Sequence, residues 1–265
     1  MNSDPVYYHL EQRSPSDELE LAPGAPACLN RRVRIGELDI SPVSCVEYAR
    51  HFERYLILPD LSISSFGPVR SVFLVTQMPV NELDGKRIWV TEESETSIAL
   101  LKLLLENGKG VRPRYETVRI HPEVLRKERP DAALVIGDLA LRMGTNGGFQ
   151  YRYDLADWWR EETGLGFVFA LWVVRREFAE AHPDRVRRAL ETLLDSKRKS
   201  RVALADVSRA AAARSGLDEG LIYSYMDRLV FDLDPPLIEG LRAFFDKLHA
   251  RGVLPEPVPL RFFDA

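Results

Sequence analysis

The stretch "WVTEESETSIALLKLLLENG", residues 89–108, joins an apolar strand-like start to a leucine-rich helix through a knot of acids and hydroxyls. Ile98, Leu101 and Leu105 recur at helical spacing, and Asn107-Gly108 gives a stop signal. Thr91, Ser94, Thr96 and Ser97 crowd the point where the strand hands over to the helix. A helix start carries unpaired N–H donors and a partial positive charge, so hydroxyls there either cap the helix or help hold an anion. Glu92, Glu93 and Glu95 complement the dipole unaided, and they would repel an anion if they faced it.

The same strand–hydroxyl–helix pattern occurs upstream in "ISPVSCVE", residues 40–47, where Ser41 and Ser44 stand at the junction. Ser44 with Glu47 has the Ser-x-x-Glu spacing of a reciprocal capping box. Two such ends on separate lobes would grip a small molecule bearing two carboxylates.

Outward from these junctions, "SVFLVTQ" (71–77), "KRIWVT" (86–91), "RYETVRI" (114–120), "AALVI" (132–136) and "FVFALWVV" (167–174) read as strands. Residues 132–136 are apolar on both faces, which predicts a parallel sheet covered by helices. Helices are predicted at Leu29–Val33 with Gly36 past the end, at "HPEVLRKE", and at "LADWWREET" between Asp154 and Gly164. From residue 183 on the pattern is almost wholly helical, with stripes at Val186, Leu190 and Leu193, then Ile238, Leu241, Phe245 and Leu248. The predicted class is α/β with parallel-rich sheets and a helical C-terminal tail.

Composition narrows the functions. The chain has 265 residues, 45% hydrophobic and 29% charged, with net charge -4, so nothing in its overall charge favours nucleic acid. No apolar run has membrane-spanning length, and "MNSDPVYYHL" lacks a basic-then-apolar leader, so a cytoplasmic location is expected. Cys28 and Cys45 have no metal-ligand spacing and are expected to be reduced and buried. The five histidines are scattered, which predicts surface or helix-end positions and no metal site. Absence of a phosphate loop and of Gly-x-Gly-x-x-Gly argues against a nucleotide cofactor. The basic run "DSKRKSR" (195–201) is expected on a solvated helix face, and Trp158, Trp159 and Trp172 in the core. Gly137 and Asp138 end the 132–136 strand, where ligand groups gather in open sheets, although an Asp there also serves as a helix cap.

Six stretches in order, "NSDPVYYHLE", "LNRRVRIGELDISPVSCVEYAR", "LPDLSISSFGPVRSV", "ESETSIALLKLLL", "VIGDLAL" and "TGLGFVFALWVVRREF", cover almost the whole chain. Together they resemble the menaquinone-biosynthesis family that contains chorismate dehydratase, an enzyme of the futalosine route. The resemblance implies a two-lobed, periplasmic-binding-protein-like fold of type II with the ligand in the cleft. Runs 71–77 and 167–174 are then the expected crossings, which puts 1–75 with 175–265 in lobe I and 76–174 in lobe II.

The resemblance also implies dehydration of chorismate to 3-[(1-carboxyvinyl)oxy]benzoate without metal or organic cofactor, and no nucleic-acid or membrane partner. It places Asn2 and Ser71 as catalytic residues, and Ser41, Ser44, Thr96, Ser97, Gly137 and Asp138 as substrate binders. Relatives begin with a strand running into a Tyr-Leu-Asn-like segment, whereas here Met1 directly precedes the Asn. The expectation is therefore a start codon placed too far downstream, or a genuinely shortened and impaired chain. Gly166 stands where relatives often have proline. Rival readings are a solute-binding protein, the sister enzyme that makes dihydroxynaphthoate, and a regulator's effector domain.

Overall fold

A computed structural model describes residues 1–12, 19–143 and 148–264. Its helices are α1 (Asp4–Glu11), α2 (Pro26–Arg34), α3 (Cys45–His51), α4 (Glu95–Leu103), α5 (Pro122–Glu128), α6 (Gly137–Arg142), α7 (Leu155–Thr163), α8 (Arg176–Ala181), α9 (Pro183–Val202), α10 (Leu204–Ser215), α11 (Glu219–Met226) and α12 (Pro235–Ala250). Its strands are β1 (Ile40–Ser44), β2 (Tyr55–Ser65), β3 (Val72–Thr76), β4 (Arg87–Val90), β5 (Arg114–Thr117), β6 (Ala132–Ile136), β7 (Tyr151–Asp154) and β8 (Phe167–Arg175).

The strands form two sheets, one ordered β1-β8-β2 and the other β5-β4-β6-β3-β7. Both pairings of the first sheet are antiparallel. In the second, β4 pairs in parallel with β5 and β6, while β3 is antiparallel to β6 and β7. The α/β class stands, but the sheets are mixed where a parallel-rich pattern was expected. Strand β6 explains the difference. Ala132–Val135 are all buried because β6 lies between β4 and β3 with cover on both faces, and that burial does not depend on which way its neighbours run.

Strand β2 carried no strand expectation because Pro59-Asp60 interrupts its pattern. Its register with β8 jumps between Ile57 and Ser62, and Asp60 within the bulge has φ 58. Lys197 of α9 reaches this bulge, donating to the Asp60 carbonyl at 2.6 Å and to Asp232 Oδ1 at 2.6 Å. Lys197 therefore corrects the solvated reading of the basic run: it is 8% exposed, its charge compensated by two acids distant in sequence.

The helix near residue 95 also runs past its expected stop, through a π-helical turn at Leu104–Lys109 to Gly110 at φ 69. Helix α7 keeps its expected ends, with Asp154 accepting from Ala156 N and Asp157 N and with Gly164 at φ 72. Trp158, Trp159 and Trp172 are buried, and each histidine lies at a helix terminus. Cys45 is buried, but Cys28 is exposed on the first turn of α2, contrary to expectation.

The chain leaves the first sheet after Ser65 and enters the second at Val72, so β3 belongs to the second sheet and β8 to the first. One continuous core runs from Val6 and Val33 through both sheets to Phe245 and Leu248. A smaller one, with Phe73, Val75, Trp89 and Ala133, covers the other face of the second sheet. At the return passage, Trp159 Nε1 donates to the Gly166 carbonyl at 3.2 Å, and Gly240 of α12 rests on the same peptide. A methyl group added at Gly240 would stand 2.1 Å from Gly166 O, so this approach requires the missing side chain.

Candidate functional site

Strand β1 delivers Ser44 in extended conformation to the start of α3, where its hydroxyl accepts from Glu47 N at 3.2 Å. Glu47 does not return the bond as the capping-box spacing implies. Asn30 takes that place: its Oδ1 accepts from Ser44 N at 3.3 Å, and its Nδ2 donates to Ser44 Oγ at 3.4 Å. Glu47 is instead buried and accepts from Tyr55 OH at 3.1 Å, with Arg34 Nε 3.7 Å away. Burial raises its carboxyl above the ordinary range, and Arg34 and the Tyr55 bond offset only part of this.

Helix α4 is capped within its own first turn. Ser94 Oγ accepts from Ser97 N at 3.2 Å and donates to Ser97 Oγ at 2.8 Å. Upstream, Thr91 Oγ1 accepts from Glu93 N at 3.1 Å.

The two helix starts face each other and touch. Thr96 Oγ1 accepts from Val46 N in the first turn of α3 at 3.2 Å and lies 3.4 Å from Cys45 Sγ. Glu95 is drawn aside by Arg50, at 2.6 Å, and Glu92 and Glu93 are exposed. Burial pushes the Cys45 thiol up to about 12, so it is a protonated neighbour of Thr96 and not a thiolate nucleophile. Ser44, Thr96 and Ser97 are thus brought together, while the Ser41 hydroxyl is buried and turned to its neighbour's carbonyl, Pro42 O, at 3.0 Å.

A second group forms where the chain enters β3. Asp154 Oδ1 and Oδ2 accept from Val69 N at 3.2 Å and Arg70 N at 2.6 Å, tying the passage to the start of α7. Arg70 adopts a left-handed conformation, φ 60, which is uncommon for a residue with a side chain and turns the backbone immediately before Ser71. Ser71 is 4% exposed, and its carbonyl accepts from Gly137 N at 2.8 Å. Gly137, at φ 57, and Asp138 are exposed at the start of α6, and Asp138 does not cap that helix.

Asn2 is exposed in the turn before α1. Asp4, two residues on, meets the terminal amine of Met1 at 3.3 Å and also pairs with Arg214. Among the described residues, no group of three or more His, Cys, Asp or Glu side chains is arranged to hold a metal ion. Helix-end amides and neutral hydroxyls are instead suited to anionic oxygen.

Asn30 carried no site expectation, because it falls in a short basic helix. Only the register of that helix against β1 would have marked it.

Similarity to other proteins agrees with this architecture. Residues 1–250 match the family described as "Menaquinone biosynthesis". Chorismate dehydratase of Thermus thermophilus is 34% identical over 238 residues, 84% of this chain and 84% of that protein. The 1,4-dihydroxy-6-naphtoate synthase of the same organism is 29% identical over 241 residues, 88% of this chain and 84% of its own. In fold, the chain is similar to the periplasmic aliphatic sulphonate binding protein SsuA from Escherichia coli, with TM-score 0.69 and 17% identity, covering 100% of this chain and 89% of that one.

Proposed function

The chain belongs to the menaquinone-biosynthesis family and is a homologue of chorismate dehydratase, and from that premise we propose that it removes water from chorismate to give 3-[(1-carboxyvinyl)oxy]benzoate. The observation that carries the reading is the 34% identity to chorismate dehydratase over 84% of the chain. The reaction is that of a carbon–oxygen hydro-lyase acting without cofactor, in the cytoplasm. No helix among the described residues is long and apolar enough to cross a membrane.

The ligand lies between two lobes, one built on the β1-β8-β2 sheet and the other on the β5-β4-β6-β3-β7 sheet, a division that moves β3 out of the expected 1–75 segment and β8 out of the expected 76–174 segment. Chorismate is a dianion. The facing starts of α3 and α4 support one carboxylate on Ser44, Thr96 and Ser97, with Ser41 behind them. Gly137 and Asp138 border the ring near Ser71.

The chemistry needs a ring proton to leave and the 4-hydroxyl to depart, and the new aromatic ring supplies the driving force. A substrate carboxylate takes the proton, Ser71 donates to the departing hydroxyl, and Asn2 orients the reacting ring. Burial of Ser71 supports this role, since a donor in a dry site stabilises developing charge more than one in water does.

The test is to mix purified protein with chorismate and follow the products by chromatography and mass. The expected product is lighter than chorismate by one water. Binding without that product favours a solute-binding role, in keeping with the sulphonate-binding neighbour. Turnover of another acid but not of chorismate favours the sister synthase. Asn2→Ala is expected to lower kcat more than it raises KM.

A further inference from the structure

Asn30 of α2 is 8% exposed, and its side-chain amide makes two hydrogen bonds to Ser44 at the end of β1. The chemistry of the partners fixes which way that amide faces. A backbone N–H can only donate, so the Asn30 atom 3.3 Å from Ser44 N is the carbonyl oxygen Oδ1. The atom 3.4 Å from Ser44 Oγ is then Nδ2, which can only donate in its turn.

Ser44 Oγ therefore accepts from Asn30. It accepts a second bond from Glu47 N at 3.2 Å, another group that can only donate. A hydroxyl has two acceptor lone pairs and one proton, so both lone pairs are taken and the proton is what remains to offer. Among the described residues no acceptor takes that proton, and Ser44 is only partly buried. Ser41, on the same strand, shows the alternative: it is buried and spends its proton on Pro42 O at 3.0 Å. A hydroxyl held as a pure donor matches an ionised carboxylate, whose oxygens only accept.

We propose that Asn30 is a positioning residue that fixes the Ser44 hydroxyl as a donor toward a carboxylate of the substrate. This role rests on the reading of Ser44 as a carboxylate binder. It requires that Asn30 act through Ser44, and that its effect fall on substrate affinity and not on the chemical step.

Asn30→Asp is the informative change, because it keeps the size and the acceptor for Ser44 N but has no N–H to give. At neutral pH the Ser44 proton then turns to the new carboxylate, and a lone pair faces the ligand in its place. Wild type, Asn30→Asp, Ser44→Ala and the double variant are assayed for KM and kcat with chorismate, or for Kd if the wild type binds chorismate without converting it. Ser44→Ala is expected to raise KM about tenfold, the size of a hydrogen bond to a charged group. Asn30→Asp is expected to raise KM by at least about tenfold with kcat within about twofold. Its added charge repels the substrate in both serine backgrounds alike, so the ratio of the two losses isolates the hydroxyl, and that ratio is expected near tenfold. Tm is followed on all four, since a merely structural role lowers Tm and raises KM alike with or without Ser44. A ratio below about twofold overturns positioning and leaves the carboxylate reading of Ser44 standing. Unchanged affinity in Ser44→Ala overturns that reading, and the role of Asn30 with it. A wild type that neither binds nor converts chorismate overturns the dehydratase reading as well.

Discussion

The helix starts at Ser44 and Ser94 carry nearly the same local chemistry, a serine cap accepting an N–H three residues on, yet they are built differently. The α3 start is held from outside: Asn30 brackets Ser44, Glu47 is buried against Tyr55 and Arg34, and Val46 N is taken by Thr96. The α4 start is self-contained, its cap closed by Ser97 and its acids turned to solvent or to Arg50. The difference teaches that a cap motif fixes where a helix begins. What the helix end can offer a ligand is fixed by tertiary partners.

Thr96→Val breaks this arrangement most directly. It keeps the shape, removes the acceptor and leaves Val46 N–H buried without a partner, at a cost of about 1–3 kcal/mol. Urea unfolding of both proteins measures it. A change below about 0.5 kcal/mol, the usual size of a neutral surface substitution, would show that the two helix starts do not depend on this contact.

Next in size, Ser44→Ala is expected to cost about 1–2 kcal/mol because it removes a cap and strands Asn30, while Ser94→Ala stays near 0.5 kcal/mol, the low end for a cap. Equal losses in thermal unfolding would erase the asymmetry.

Much of the architecture was legible. Strands β3, β4, β6 and β8 follow from apolar runs, and α7 from Asp154 and Gly164, because burial and capping are local demands. Strand direction was not legible, since β6 is buried on both faces whichever way β3 runs. Bulged β2 hid behind Pro59-Asp60, and Lys197 looked solvated because Asp60 and Asp232 reach it only through the fold. The paired helix starts could be suspected from Ser44 and Ser94, but their contact through Thr96 and Val46 depends on how α3 and α4 pack. Asn30 stayed hidden for the same reason.

A smaller effect sharpens the contrast through pH. Glu47 has its folded pKa raised above the ordinary 4.5, so the folded state binds its proton more tightly than the unfolded chain does. Its ionisation therefore costs nothing below 4.5 and subtracts stability as pH rises through the raised folded value. Glu47→Gln keeps an acceptor for Tyr55 and cannot ionise. Its stability relative to wild type is expected to improve as pH is raised from 4 toward 7, followed by Tm at each pH. A difference that stays flat, or moves the other way, contradicts the burial of that carboxyl.

The smallest perturbation is chemical labelling. Cys28 is exposed, whereas Cys45 is buried beside Thr96 with its thiol held protonated. A thiol reagent is expected to modify one site per native chain, identified as Cys28 by peptide mapping, and a second only after denaturation. Prompt labelling of Cys45 would mean that the seam between the helices opens readily.

That seam has a thermodynamic corollary. Thr96 is already seated on the amide of Val46, so the carboxylate proposed for this helix start would meet a donor that is engaged. Docking of the proposed carboxylate at that amide would be an exchange reaction, and titration heats would record the difference between an outgoing hydroxyl and an incoming oxyanion. Such an exchange would favour charge over mere polarity, because a neutral newcomer would only replace like with like.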